Sequence, residues 1–300
     1  MITIKDTNIN LEDTITCGQI FRYEKEKDNS YTIVLSDRVV NLKKDNNDLL
    51  VTSNLEDNLE NVVKKYLDLD RDYNKLNDKL IDIDSSLKNI IDECYGLKII
   101  NQPRFECIIS YIVSQNNRVS QIANSLNNIS KKYGKEVSFN NKKYYLFPNL
   151  EDLKNVSIEE FRNLKVGFRD KYIYEFIKNM TEKNIDIDII DSMSSEDALK
   201  YLMQNKGIGE KVASCILLFS YSRFDVFPID TWVKKYMSDK YNITVVKNIR
   251  KFSKEKYKDY CGLMIQYIFH YKRNKEILFL FFLFFLGEIF YFWRIYILEV

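Results

Sequence analysis

Three hundred residues, 45% of them apolar, suffice for one large or two ordinary domains with a sizeable core, which excludes a globally disordered chain. Forty-five basic against 43 acidic residues leave a net charge of +2, which excludes a histone-like polycation yet permits a local basic face. A single histidine, His270, leaves almost no material for a histidine zinc site or a Ser-His-Asp triad. Five cysteines at 17, 94, 107, 215 and 261, with no CxxC pair, argue against an iron–sulfur site and predict free thiols in a reducing compartment.

The N-terminus, MITIKDTNINLEDTITCG, has no apolar stretch after a basic start, so it does not read as a secretory signal. Residues 1 to about 55 read as antiparallel strands: Tyr31 to Leu35, Val39 to Leu42 and Leu49 to Thr52, separated by polar turns such as Glu26-Lys27-Asp28-Asn29. From about residue 56 the apolar spacing becomes helical. Leu59, Val62, Val63 and Tyr66 form one stripe, and Leu87, Ile90 and Ile91 another. Pro103 and Phe105 open a helix through Ile108, Ile109 and Ile112, and a further helix covers Val119 to Tyr133. Loops with Gly134 and Pro148 separate the helices that follow. The predicted class is α+β: an N-terminal β-sheet-rich domain over 1–95, an all-helical domain over 96–275, and a hydrophobic tail over 276–300.

The tail is anomalous. Ten apolar residues run from Ile277 to Leu286, and the whole stretch 277–298 is long enough to cross a bilayer. Glu288 and Arg294 within it argue against an ordinary membrane span, whereas Lys272, Arg273 and Lys275 before it suit a cytoplasmic flank. Three readings stand: a buried last helix, a membrane contact, or the product of a frameshift in T-rich DNA.

The segment Leu202 to Lys235 carries the chemistry. Lys206-Gly207-Ile208-Gly209 is a two-glycine hairpin opening an apolar helix. Gly207 and Gly209 suit a sharp turn and close approach of another backbone, and free amides at the next helix start attract an anion. The plain alternative is an ordinary turn in a helical bundle. Lys211 stands two residues into that helix, where the helix dipole repels a cation; the same field, with partial burial, lowers an amine's pKa and makes it a nucleophile. Asp230, nineteen residues on, is a good helix N-cap before Thr231-Trp232, and a carboxylate so held can also stabilise positive charge on a sugar losing its base.

This segment closely resembles the helix-hairpin-helix DNA glycosylases, specifically the 8-oxoguanine DNA glycosylase/AP lyases. The resemblance covers roughly residues 10 to 272 and includes, in family order, Cys17-Gly18-Gln19-Ile20-Phe21-Arg22-Tyr23, Leu67-Asp68-Leu69-Asp70-Arg71-Asp72-Tyr73, Ser114-Gln115-Asn116-Asn117-Arg118, Val166-Gly167-Phe168-Arg169 and Tyr260-Cys261-Gly262. It implies a base excision repair enzyme acting on double-stranded DNA containing oxidised guanine. Lys211 would displace the base and form a Schiff base with C1′, Asp230 would align that step, and β-elimination would then nick the strand. Gly18 would offer its carbonyl to the N7 hydrogen that marks 8-oxoguanine, and Cys215 and Phe269 would sandwich the extruded base. Asn116 would fill the hole left behind, Phe168 would wedge beside the opposite nucleotide, and Arg169 would contact the widowed base. Gly207 and Gly209 would grip the backbone, with Trp232 against a phosphate. Each has a plainer reading: Cys215 and Phe269 as core residues, Asn116 as a helix end, Phe168-Arg169 as loop, Gly18 as a turn, Trp232 as packing.

Two departures stand out. Where many members carry an arginine that reads cytosine opposite the lesion, this chain has Gln121, which predicts a weaker preference for cytosine. The family's base-reading glutamine falls at Ile265, with Gln266 next to it. A rotation of about 100° separates neighbours on a helix, so either the helix turns slightly or base discrimination is poorer. The resemblance implies no cofactor, no catalytic metal and no obligate protein partner. It implies a cytoplasmic, nucleoid-associated location, with membrane tethering by 277–298 the alternative. A helix-hairpin-helix glycosylase for another lesion, or a non-catalytic DNA-binding module, are the competing functions.

Overall fold

The computed structural model describes residues 1–275. The apolar run at 277–298, with its three readings, lies outside the described residues. Among the described residues no helix is long and apolar enough to cross a membrane.

The elements run β1 (Ile2–Ile4), α1 (Leu11–Thr16), β2 (Tyr23–Lys25), β3 (Tyr31–Val34), β4 (Val39–Asp45), β5 (Asp48–Ser53), α2 (Leu59–Tyr66), α3 (Tyr73–Ile83), α4 (Lys88–Glu93), α5 (Arg104–Ser114) and α6 (Val119–Tyr133). After these come β6 (Glu136–Phe139), β7 (Lys142–Tyr145), α7 (Leu150–Leu153), α8 (Ile158–Asn163), α9 (Asp170–Thr181), α10 (Ser195–Met203), α11 (Glu210–Ser220), α12 (Thr231–Tyr241) and α13 (Val246–Tyr257). A last helix, α14, begins at 261 and is described to 275. The fold is α+β, an antiparallel sheet followed by helices, as the sequence predicts.

The sheet is ordered β1-β5-β4-β3-β2. Its tightest turn is Asn46-Asn47, where Asp45 pairs with Asp48 and Asn46 takes a φ of +50°, a left-handed conformation asparagine tolerates. Ile33, Leu42, Leu49 and Val51 are buried on the sheet's inner face with Ile15 of α1 and Leu59 and Val63 of α2. The expected loop after Gly134 is instead a second hairpin, β6–β7, with Phe139 paired to Lys142 across Asn140-Asn141. Phe139 and Tyr144 of this hairpin bury Val39 on the sheet's other face. The signal was present in the Asn-Asn pair, with φ of +48° and +60°, between two β-prone runs.

The sheet is stitched to the helices by one buried amide. Gln19, fully buried, donates to the Lys98 carbonyl at 2.7 Å and accepts from the Ile100 amide at 2.8 Å, while its own carbonyl takes bonds from Gln102 and Tyr111. With both side-chain polar atoms and the carbonyl of Gln19 satisfied, this network fixes the turn that carries Gly18. Arg22 adds a buried ion pair to Glu106 of α5 at 2.8 Å. In the helical core α11 is central, with every residue from Val212 to Ser220 buried. Sequence periodicity places only Val212, Ala213, Ile216 and Leu217 on a packing face, because burial on all sides leaves no polar stripe to read.

Candidate active site

Three elements converge on one cleft. α11 brings Lys211 and, one helical turn on, Cys215; the start of α12 brings Asp230 and Trp232; α14 brings Ile265, Gln266, Phe269 and Arg273. The turn after α1 supplies Gly18, the loop before α6 supplies Asn117, and the first residue of α6 is Val119. The cleft has a volume of about 270 Å³, and Phe21, Tyr111 and Phe219 line it with apolar surface. A second hollow, around Lys65, Tyr66 and Arg104, also holds Asp188, but that carboxylate is paired with Arg104 at 2.7 Å.

Asp230 caps α12. Its carboxylate accepts the Val233 amide at 2.8 Å, which orients it and satisfies an otherwise unpaired donor of the first turn. Burial pushes its pKa above the ordinary carboxylate value, opposed by the hydrogen bond from Val233 and the charge of Lys211. Lys211 stands exposed in this DNA-free structure, where the sequence predicted partial burial. Cys215 is buried, and burial pushes its thiol up to about 12 against the opposing charge of Lys211. It is a neutral, polarizable wall and not a nucleophile. All five cysteines are free and buried.

The two hairpin glycines answer different demands. Gly207 has a φ of +82°, and a Cβ there would stand 2.4 Å from Tyr172 Cγ, so the fold itself requires glycine. Gly209 has a φ of −83°, caps α11, and leaves nothing within 4 Å of a would-be Cβ. The fold does not itself need glycine at 209.

On α14, Gln266 keeps a place in the cleft. Gln266 does not turn away: it is buried, lines the cleft beside Ile265, and donates to the Cys17 carbonyl at 3.3 Å. Positions three and four residues before Phe269 both share its face of the helix, so no rotation is required. Gly18, with a φ of +84°, lies so close to Phe269 that a Cβ would sit 3.4 Å from the ring.

A second group of expected residues lies beside the cleft. Asn116 is exposed with a φ of +48°, and Phe168 is 56% exposed, so an aromatic ring stands in solvent at a loop tip. Phe168 rests edge-on against Tyr172 at 6.2 Å, and Tyr172 is the residue under Gly207, so one tyrosine joins the hairpin to the exposed ring. Arg169, expected to contact the widowed base, is engaged within the protein in this DNA-free structure. It is buried, and its guanidinium donates to the carbonyls of Gln115, Asn116 and Val166, where it shapes the Asn116 loop. Gln115 caps the end of α5 and Val166 precedes the Arg169 turn, and a five-donor side chain satisfies several such carbonyls at once. Gln121 is half-buried and donates to the Lys165 carbonyl at 3.4 Å. Arg273, read from sequence as part of a basic flank, points into the cleft; its spacing of four from Phe269 was the available signal.

Comparison with known proteins gives a consistent picture. Residues 1–108 match the family described as 8-oxoguanine DNA glycosylase, N-terminal domain, and residues 109–258 match the HhH-GPD superfamily of base excision DNA repair proteins. The chain is 28% identical over 249 residues to a probable N-glycosylase/DNA lyase of Methanothermobacter thermautotrophicus, covering 75% of this chain and 77% of that one. It is 28% identical over 282 residues to the N-glycosylase/DNA lyase of Saccharomyces cerevisiae, covering 85% of this chain and 74% of that one. Among solved structures it resembles the Clostridium acetobutylicum 8-oxoguanine glycosylase/lyase bound to double-stranded DNA with cytosine opposite 8-oxoG: 34% identity, TM-score 0.86, 90% of this chain and 93% of that one.

Proposed function

The chain belongs to the HhH-GPD superfamily of base excision DNA repair proteins, as a member with an 8-oxoguanine DNA glycosylase N-terminal domain, and from that premise we propose that it excises 8-oxoguanine from duplex DNA and then nicks the strand at the abasic site. It is a bifunctional N-glycosylase and DNA lyase whose partner is DNA. The observation that carries the residue assignment is the single cleft in which Lys211, Asp230, Gly18, Cys215, Gln266 and Phe269 meet.

The chemistry follows from those positions. The hairpin holds a phosphate at the α11 N-terminus, with Gly209 leaving room for the backbone. The lesion leaves the stack, Phe168 and Asn116 occupy the gap, and the purine enters between Cys215 and Phe269 beside Gly18. Lys211, as its neutral amine, is the nucleophile. Its lone pair attacks C1′; the C1′–N9 bond breaks and its electron pair leaves on the base, which takes up a proton. Asp230, ionised, stabilises the positive charge that develops on the sugar. Ring opening leaves a Schiff base on Lys211, loss of a C2′ proton expels the 3′ phosphate, and hydrolysis of the Schiff base frees the lysine. Gln121 in place of a cationic reader weakens selection for cytosine. Within this reading residues 1–95 and 96–275 act as the two domains flanking the cleft, and the enzyme works in the cytoplasm on nucleoid DNA. Phosphate contacts make binding fall with added salt.

Borohydride trapping on a duplex with one 8-oxoguanine opposite cytosine tests the assignment. A covalent adduct in the wild type that is lost in Lys211→Gln supports enzyme class, substrate and nucleophile together. DNA binding without an adduct from a folded wild type would leave a DNA-binding module or a glycosylase for another lesion.

A further inference from the structure

The cleft contains one cation that the mechanism does not use. Arg273 of α14 donates from Nη2 to the Thr16 carbonyl at 2.7 Å, across 257 residues of chain. Thr16 ends α1, whose last turn carries no basic residue, so Arg273 supplies the positive charge that a helix C-terminus favours. The same guanidinium lies 5.5 Å from the centre of the Phe269 ring, and its Nη1 is 3.3 Å from the point where a Gly18 Cβ would stand. Its charge also offsets part of the burial penalty on the Cys17 thiolate, next to Gly18. Nε is buried without a hydrogen-bond partner. A side chain kept there despite an unpaired donor is held by its other contacts.

These contacts join the two walls of the base slot. One wall is the Cys17-Gly18 turn, with the carbonyl assigned to lesion recognition; the other is Phe269, the stacking ring. We propose that Arg273 is a positioning residue that clamps the Gly18 turn against Phe269, fixing the width of the slot and hence discrimination between 8-oxoguanine and guanine. The clamp rests on the reading of Gly18 and Phe269 as the purine pocket. It predicts a division of labour: Arg273 acts on base excision, whereas cleavage of an abasic site, which has no base to place, depends on Lys211 with little demand on the slot.

The test measures single-turnover release of 8-oxoguanine and of guanine from matched duplexes and, separately, cleavage of a preformed abasic duplex, in wild type, Arg273→Leu and Arg273→Lys. In Arg273→Leu the ratio of excision to abasic cleavage falls about 10- to 100-fold, as expected when a reacting group is misplaced by a fraction of an ångström. Selectivity for 8-oxoguanine over guanine falls with it. Arg273→Lys fails to restore either, because an ammonium cannot hold the Thr16 carbonyl and lie over the ring at once. If both activities fall together, or neither changes, or lysine restores full excision, the clamp is wrong. A wild type that cuts the abasic duplex but releases no 8-oxoguanine instead overturns the substrate reading, and the two failures are told apart in the wild type alone.

Discussion

Asp230→Asn should make this protein more stable and nearly inactive. Burial raises the pKa of Asp230 in the folded state, so its ionised form is penalised by folding. The sign follows from linkage: a carboxyl whose folded pKa exceeds its unfolded value costs stability while ionised, and that cost disappears as pH falls through the folded pKa. At pH 7 the cost is present, and asparagine removes it. Asparagine is also a good N-cap, so the bond to the Val233 amide survives. Alanine removes charge and cap together, and should melt below the asparagine variant by about 1 kcal/mol, or roughly 2–4 °C in a domain of this size. The activity loss has a different origin. A carboxylate about 4 Å from a developing sugar cation contributes about 4 kcal/mol at an effective dielectric near 20, or roughly a 10³-fold rate effect. Single-turnover excision and thermal melts at pH 7 check both halves. The wild-type rate should fall on the acid side at a pH above that expected of an ordinary aspartate, because the ionised form is needed and its pKa is raised. Asparagine retaining a tenth of the wild-type rate would refute the electrostatic role, and asparagine melting with alanine would refute the cap.

The hairpin glycines should separate by assay. Gly207→Ala loses at least about 2 kcal/mol of stability from its positive φ and the approach to Tyr172, and it disturbs Phe168 through that ring, whereas Gly209→Ala melts as the wild type but binds duplex DNA more weakly. Melting curves paired with a DNA titration decide this; equal melts for the two variants would contradict it. Wild-type excision should proceed at similar rates opposite cytosine and adenine. Gln121→Arg should favour cytosine by about 1–3 kcal/mol, the worth of a bidentate contact, and a large cytosine preference in the wild type would refute the assignment.

What the sequence determined by itself is local. The strands at 31, 39 and 49 follow from alternation of β-branched residues bounded by polar turns, and α6 from its helical spacing between Val119 and Tyr133. The hairpin, Lys211 and Cys215 are legible because they lie within one turn and one helix, where spacing alone fixes which side chains share a face. The fold class came from the same kind of pattern, whereas the order of the motifs was legible only through the family resemblance. Tertiary structure decided how distant side chains use their donors. Arg169 looks in sequence like a loop cation ready for DNA, yet it is buried on the carbonyls of Gln115, Asn116 and Val166. Arg273 looks like a basic flank, yet it meets Thr16 at the far end of the chain. A guanidinium goes where unpaired carbonyls are, and only the folded chain brings residues 16 and 273 together.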